Sequence, residues 1–219
     1  MDKLFLSILV ILIMLIMYLI FMLYTRFKND SINKKYNPKH KYINNGLPDN
    51  DSEEDINLEA KKNIILKIKQ KSKIYKIKLE LFDKELPLTC KNFRHMCFIG
   101  LKGKTYKNCK FNKIVKNGYL QIEDVFEKKH SLYGPNFKDE SFKYTHQYPG
   151  VLSMVNNGPG TNNSEFFITT QSCPTFDGRN VVFGRVVSGL FNFFSLQHSK
   201  LDDNGKPLND IEIVDISTI

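Results

Sequence analysis

Hydrophobic and polar positions divide the 219 residues into three parts with different patterns. Residues 4–24 are almost entirely apolar and carry no charge. At about 1.5 Å per helical residue, such a run is long enough to cross roughly 30 Å of hydrocarbon. A cleaved signal peptide is the alternative, but its apolar region is usually about 7–15 residues long and a small-x-small cleavage site follows it. This chain has no such site after the run, so the pattern favours a retained transmembrane anchor over residues 1–24.

The second part, residues 25–59, is polar and rich in Asn, Lys and Asp, with an acidic run at 49–55. It has no helical or strand periodicity, which is typical of a flexible polar linker. The third part, residues 60–219, carries the periodic patterns of a folded domain.

Within the third part, apolar positions recur with the periods of strands and of short helices. Residues 74–82 alternate apolar with charged side chains, as a half-buried strand does. Pro87 begins a stretch whose apolar residues are three and four positions apart, which predicts a helix that ends near Gly100. The predicted strands are 64–69, 74–82, 111–124, 151–155, 166–170, 181–184 and 211–216, and a second short helix is predicted at 190–197.

The stretch from Tyr148 to Gly184 contains apolar strands separated by turns. Residues 156–163 are rich in Asn, Gly and Pro, which bend the chain or bond to their own backbone, so this segment predicts a rigid polar loop. A strand, such a loop and a returning strand place Met154, Phe167 and Phe176 where they can line one concave surface.

The same stretch closely resembles the central signature of the cyclophilins, which are peptidyl-prolyl cis-trans isomerases. The matching residues are Leu152-Ser153-Met154, Gly158-Pro159, Thr161-Asn162, Ser164, Phe166-Phe167-Ile168-Thr169, Asp177-Gly178 and Val181-Val182-Phe183-Gly184. Residues 81–93 also resemble the beginning of the family domain, so the likeness covers roughly residues 60–219. The resemblance implies a mainly β fold, a closed antiparallel eight-stranded β-barrel capped by two α-helices. The apolar run predicts a single N-terminal transmembrane helix before this domain.

The resemblance also implies a chemistry. Rotation about an X-Pro bond must overcome a barrier of about 18–20 kcal/mol. It requires an apolar grip on the proline ring and a donor to the prolyl nitrogen, and it needs no nucleophile, metal or cofactor. In cyclophilins the donor is an Arg in a Phe-His-Arg strand, whereas this chain has Phe111-Asn112-Lys113, so Lys113 is the implied catalytic residue. A compact ammonium lacks the planar fork of a guanidinium, and we therefore expect slower catalysis.

The implied substrate-binding residues combine kept and changed positions. The residues that match the family are Gln121, Met154, Asn156, Phe167 and Phe176, and those that differ are Tyr119, Val155, Asn157, Glu165 and Asn180. Tyr119 falls where the family has a Met, although a shift of one residue would set it against a Phe. Thr175 replaces a Trp that helps cyclophilins to bind cyclosporin, so we expect weak cyclosporin binding.

The charge and the cysteine content argue against nucleic-acid binding and against metal binding. The formal net charge is +9, and nearly all of the positive charge is Lys. Nucleic-acid binders that read bases rely on Arg forks, so we predict no nucleic-acid partner and a solvated surface with some attraction to anionic lipid. Four isolated cysteines have no zinc-finger spacing, which predicts no metal site and fits buried thiols in a reducing compartment, with luminal disulfides as the alternative.

Basic residues that follow the predicted anchor indicate its orientation. Residues 26–41 contain six Lys or Arg, whereas only Lys3 precedes the span. The positive-inside rule therefore places the C-terminal domain of this single-pass membrane protein on the cytoplasmic side. A luminal location is the alternative, on which the glycosylation sequons at 29–31, 50–52 and 162–164 would report.

Three functions compete on this sequence. The first is a membrane-tethered prolyl isomerase that acts on proline-containing clients. The second is a binding or chaperone module that holds such segments but isomerises them slowly. The third is an anchored structural domain without a groove. Lys113 is the feature that separates the first two.

Overall fold

The computed structural model describes residues 63–126 and 129–218. The predicted anchor at 1–24 and the predicted linker at 25–59 lie outside these residues. Among the described residues, no helix combines the length and the apolar character that a membrane crossing requires.

The described chain forms one eight-stranded antiparallel sheet in the order β3-β4-β6-β5-β7-β2-β1-β8. The strands are β1 (Ile64–Gln70), β2 (Lys73–Leu81), β3 (Phe111–Val115), β4 (Tyr119–Ile122), β5 (Val151–Met154), β6 (Phe166–Thr169), β7 (Val182–Ser188) and β8 (Ile211–Thr218). The predicted strand at 111–124 is therefore two strands, because Asn117 adopts a φ of 54° in the turn between β3 and β4.

Alternation decides which side chains fill the barrel. Leu66 pairs with Ile77, and both are fully buried, whereas their neighbours Lys67 and Lys76 pair with each other on the outside. Successive side chains in a strand point to opposite faces, so Leu66, Ile77 and the apolar residues in phase with them line the interior. The half-buried strand that we predicted at 74–82 is confirmed by this pattern.

The sheet curls until its two outer strands nearly meet. Just before β3, the Asn108 N–H donates to the Ile213 carbonyl over 2.7 Å, and the Ile213 N–H donates to the Cys109 carbonyl over 2.9 Å. A single bridge joins Lys110 to Glu212, and the sheet order contains no ladder between β3 and β8. The predicted closed barrel is thus corrected to a nearly closed one, because β8 begins only at Ile211 and the Ile114 N–H of β3 donates instead to the Gly205 carbonyl over 2.8 Å.

Two helices close opposite ends of this barrel. Helix α1 (Pro87–Phe98) packs Phe93 against Phe166, which pairs with Met154 at the end of β5. Helix α2 (Leu190–Phe194) lies beside the start of β5, since a Cβ on Gly150 would come within 2.8 Å of Leu190. The predicted helix at 190–197 ends earlier as an α-helix and continues as a 3-10 turn (Ser195–His198).

The N-terminus of α1 is capped from a distant part of the chain. Leu86 occupies the N-cap position and supplies no side-chain bond. Instead, the Glu140 carboxylate accepts hydrogen bonds from the N–H groups of Leu88 and Thr89, each over 2.9 Å, and from the Thr89 hydroxyl over 2.8 Å. A carboxylate is favourable there because the first N–H groups of a helix lack partners and carry partial positive charge.

Replacing Glu140 with Gln is expected to lower the free energy of unfolding by about 1–2 kcal/mol, because a neutral amide turns one acceptor into a donor that faces N–H groups. Urea denaturation followed by circular dichroism measures the loss. Asp203→Asn, an exposed change of the same kind, serves as the control and should shift stability by less than about 0.5 kcal/mol. Equal stability of the two variants would contradict the capping role.

Candidate active site

A row of paired residues brings the site together on the outer face of the barrel. Lys113 pairs with Gln121, Gln121 pairs with Phe167, and Phe167 pairs with Ser153. Paired residues of neighbouring strands point to the same face of a sheet. The adjacent row of Ile114, Leu120, Ile168 and Leu152 is buried inside the barrel. Lys113, Gln121 and Phe167 therefore share the outer face.

A bulge sets the direction of Lys113. The register shifts between Phe111 and Lys113, so that both Phe111 and Ile114 point into the core, with 1% and 3% exposure. If Asn112 were paired as a regular strand residue, strict alternation would turn Lys113 inward with Phe111. Bulges re-aim side chains in this way, and they are common beside active sites.

Three aromatic rings form an apolar surface beside this row, which we call the aromatic hollow: Tyr119, Phe167 and Phe176. The ring centroids of Phe167 and Tyr119 are 5.1 Å apart, as are those of Phe167 and Phe176, and Tyr119 lies 5.6 Å from Phe176. Phe167 is only 3% exposed although it is on the outer face, whereas Tyr119 and Phe176 are half-buried. Phe167 is thus the floor of the hollow, and the other two rings are its rims.

The Lys113 ammonium is exposed, and it has no ion pair or hydrogen bond with any residue of the described chain. Two strand spacings separate Lys113 from Phe167, a distance of about 10 Å between Cα atoms. A lysine side chain can cover most of that distance. The half-buried amide of Gln121 lies between the two on the same face.

Met154 does not join this surface. It pairs with Phe166, not with Phe167, and it is 1% exposed in the barrel core. One position earlier or later along β5 would place a side chain on the outer face. The structure therefore puts Met154 on the opposite side of the sheet from Phe167 and Phe176, because side chains alternate along a strand.

The other predicted binding residues surround the hollow at its loop side. The Val155 N–H donates to the Glu165 carbonyl over 3.0 Å, which extends the pairing of β5 with β6 by one residue. Asn156 Nδ2 donates to the Arg179 carbonyl over 2.7 Å, and Asn180 Nδ2 donates to the Met154 carbonyl over 2.9 Å. These two amides tie the loop after β5 to the turn after Phe176. Asn157 is exposed in the loop that follows β5.

Glu165 lies two residues before Phe167 and so on the same face. It is 8% exposed, and its Oε2 atom is 3.6 Å from Nζ of Lys129. Burial raises the pKa of Glu165, while the Lys129 charge opposes this and the Asp124 charge adds to it. The site therefore combines an exposed ammonium, an apolar hollow and a buried carboxyl group.

A buried polar network behind the hollow was not found from the sequence. Nδ1 of His146 lies 2.8 Å from Oδ1 of Asp177, and Nε2 lies 2.9 Å from Oγ of Ser153. The imidazole is fully buried and stacks on Phe167 at 5.9 Å with an interplanar angle of 12°. His146 is seven residues from Ser153 and 31 from Asp177, and no local motif links the three. Because Ser153 is also fully buried, the network positions Phe167 and presents no nucleophile.

Acid is expected to destabilise the protein through His146. Burial lowers the pKa of His146 below the ordinary 6.5, against the opposing hydrogen bond and charge of Asp177. Below pH 6.5, the imidazole is protonated more readily in the unfolded chain than in the folded one. The neutral, buried His146 therefore contributes to the free energy of unfolding above pH 6.5, and this contribution is lost as the pH falls below that value. Urea denaturation from pH 8 to pH 5 measures the loss.

His146→Gln keeps hydrogen-bonding groups but cannot titrate, so its stability should depend less on pH in this range than that of the wild type. The exposed His198 offers the matched control, and His198→Gln should follow the wild-type pH dependence. Parallel curves for wild type and His146→Gln would show that His146 is not the responsible group.

Two other kinds of chemistry have little support in the described chain. All four cysteines are free and buried, as predicted, and burial raises the pKa of the Cys109 thiol to about 12. A thiol in that state is a poor nucleophile. Among residues 63–126 and 129–218, no group of three His, Cys, Asp or Glu side chains could hold a metal ion.

Comparison with protein families finds a match to the model of the cyclophilin type peptidyl-prolyl cis-trans isomerase/CLD family over residues 65–218. Apart from Ile64 at the start of β1, the match therefore covers all eight strands, both helices and the site described above.

Individual relatives agree with this match. The chain is 40% identical over 154 residues to peptidyl-prolyl cis-trans isomerase cyp11 of Rhizopus delemar, which covers 65% of this chain and 45% of that protein. It is 38% identical over 146 residues to peptidyl-prolyl cis-trans isomerase H of Mycosarcoma maydis, over 63% of this chain and 94% of that protein. The rhodopsin-specific isozyme of Calliphora vicina is 34% identical over 149 residues, which are 66% of this chain and 64% of the relative.

Proposed function

Because the chain belongs to the cyclophilin-type peptidyl-prolyl cis-trans isomerase family, we propose that it isomerises X-Pro bonds in peptides and proteins and thereby assists protein folding. The observation that carries this proposal is the register that sets Lys113, Gln121 and Phe167 on one outer face. It supports a proline ring bound in the aromatic hollow while Lys113 acts on the neighbouring amide.

The proposed mechanism needs no covalent step. Amide resonance produces a rotational barrier of about 18–20 kcal/mol, and resonance is lost as the prolyl nitrogen becomes pyramidal. Tyr119, Phe167 and Phe176 would hold the ring and exclude water from it. The Lys113 ammonium would donate a hydrogen bond to the pyramidal nitrogen, an interaction that strengthens only in the transition state.

We further propose that the rate is lower than an arginine would allow. A guanidinium offers five donors in a rigid plane, whereas the ammonium of Lys113 is strongly hydrated and exposed. Some of the free energy gained from the hydrogen bond is therefore spent on removing water from the ammonium.

The proposal is tested by NMR exchange between cis and trans forms of a short X-Pro peptide in the presence of the full-length chain. We expect cis–trans exchange to accelerate, and resonances of Tyr119 and Phe167 to shift with the Pro peptide. The same peptide with Ala in place of Pro is the control, and it should produce no such shifts. No acceleration at any protein concentration would reject the enzymatic function.

A second function, a proline-binding module with little catalysis, is favoured by one observation. No residue of the described chain forms a hydrogen bond or ion pair with the Lys113 ammonium, so its position is not fixed by the protein. If the protein is such a module, the Pro peptide would shift the resonances of the aromatic hollow, but the cis–trans exchange of the peptide would not become faster.

We also propose that the domain acts beside a membrane, tethered by residues 4–24, on its cytoplasmic side. Protease protection of the full-length chain in membranes, together with glycosylation at the sequons, tests this location. A glycosylated, protected domain would place it in a lumen instead.

Cyclosporin binding should be weak, since Thr175 offers no indole; calorimetric titration with cyclosporin measures the affinity.

A further inference from the structure

The carboxylate of Glu165 is an unusual group to find beside an apolar hollow. Glu165 is 8% exposed, and its Oε2 atom has no hydrogen-bond partner among the described residues. The backbone of Glu165 is satisfied, because its N–H donates to Oδ1 of Asn163 over 2.7 Å and its carbonyl accepts from Val155. A buried polar atom without a partner costs free energy, so such an atom at a binding surface indicates a group that arrives from outside.

Lys129 supplies only part of what Glu165 needs. Its Nζ lies 3.6 Å from Oε2, which is an ion pair but is too long for a hydrogen bond. The Lys129 side chain is 37% exposed, and the Glu165 side chain is 10% exposed, so the cation covers the carboxylate from the solvent side. A second cation can take that place without rearrangement of the barrel.

We propose that Glu165 forms a subsite for a basic side chain, Lys or Arg, of a client whose proline occupies the aromatic hollow. This inference rests on the proposed function and adds a substrate class to it. The client's cation displaces Lys129 and donates the hydrogen bond that Oε2 lacks. Lys129 thus competes with the client for the same carboxylate.

The position of Glu165 limits where the basic residue sits in the client. Glu165 immediately precedes β6 and lies two residues before Phe167 on the same face, which separates their Cα atoms by about 7 Å. An extended client chain covers that distance in about two residues. The preferred clients therefore carry Lys or Arg within two positions of the proline.

The test compares peptides that differ at one residue. Lys, Ala or Glu is placed in turn at each of the two positions on either side of a single proline, and NMR exchange with the full-length chain gives kcat/KM. NMR is preferred because the protease in a coupled assay would itself respond to lysine. At one position, the Lys peptide should exceed the Ala peptide by about tenfold, the effect of one charge-assisted hydrogen bond.

Two variants then assign the preference. Glu165→Gln should remove most of the Lys-to-Ala ratio, whereas Lys129→Ala should increase it because the competing cation is gone. Glu212→Gln changes a carboxylate on β8, away from the hollow, and should keep the wild-type ratio.

The proposal fails if the wild type shows no Lys preference at any of the four positions, or if the ratio survives in Glu165→Gln. If the Ala peptide is isomerised but the Lys peptide is not preferred, the subsite is wrong while the proposed isomerase function stands. If no peptide is isomerised, the same ratios are measured as dissociation constants by titration, and equal affinities for the Lys and Ala peptides overturn the subsite.

Discussion

Replacing Lys113 with Ala is expected to reduce kcat/KM for X-Pro peptides by about 10- to 100-fold. Loss of one transition-state donor typically costs about 3–4 kcal/mol, and an exposed ammonium is expected to provide only part of that. Lys113→Arg should change the rate in the opposite direction, since the guanidinium adds a planar fork of donors at the same position. The bulge at Asn112 directs either side chain to the outer face, so the geometry of the comparison is preserved.

Lys116 provides a matched control for these variants. It is an exposed lysine in the turn that follows β3, three residues from Lys113. Lys116→Ala removes the same charge from nearly the same place and should leave kcat/KM within about twofold of wild type, because exposed charges are weakly coupled through water. An unchanged rate in Lys113→Ala, with measurable wild-type activity, would refute the assignment of Lys113 as the donor.

Replacing Phe167 with Ala is expected to lower the free energy of unfolding by about 3–5 kcal/mol, and to abolish binding of proline peptides. Phe167 is 3% exposed and contacts the rings of Tyr119, His146 and Phe176, so its removal leaves a cavity that the sheet cannot close. The same residue is the floor of the hollow. Urea denaturation measures the first effect, and peptide titration measures the second.

Phe191 is the natural control because it is 87% exposed on α2. The Phe191→Ala variant should lose less than about 0.5 kcal/mol and should still bind proline peptides. If Phe167→Ala were as stable as this control, Phe167 would not be packed as described. Normal peptide binding by a folded Phe167→Ala variant would exclude the hollow as the proline site.

The sequence predicted strand and helix positions well where one residue period dominates. Residues 74–82 alternate clearly, and β2 (Lys73–Leu81) follows that pattern. The same patterns led to the order of strands and helices, whereas the assignment of Lys113, Gln121 and Phe167 to the site came from the resemblance and stays a prediction. Prediction was less accurate where the chain departs from a regular period, as at the turn that divides residues 111–124 into two strands.

Met154 illustrates a limit that has a physical cause. Met154 follows Ser153 directly in β5. Because side chains alternate between the two faces of a sheet, Met154 points to the face opposite that of Ser153. A motif gives the order of residues but not the phase of the pleat. Pairing with Phe166 decides that phase and places Met154 in the core.

By itself, the sequence determined the mainly β character of residues 63–218, the order of the elements and the family to which they belong, because these follow from local periodicity and a long ordered motif. Only the tertiary structure decided the bulge that turns Lys113 outward, the Glu140 cap on α1, the His146 network beneath Phe167 and the unpartnered oxygen of Glu165. Each of these depends on groups that are brought together by barrel pairing, some of them far apart in the chain. Local patterns along a sequence do not predict such contacts, because these contacts form and stabilise the protein only when strand pairing has brought the groups together.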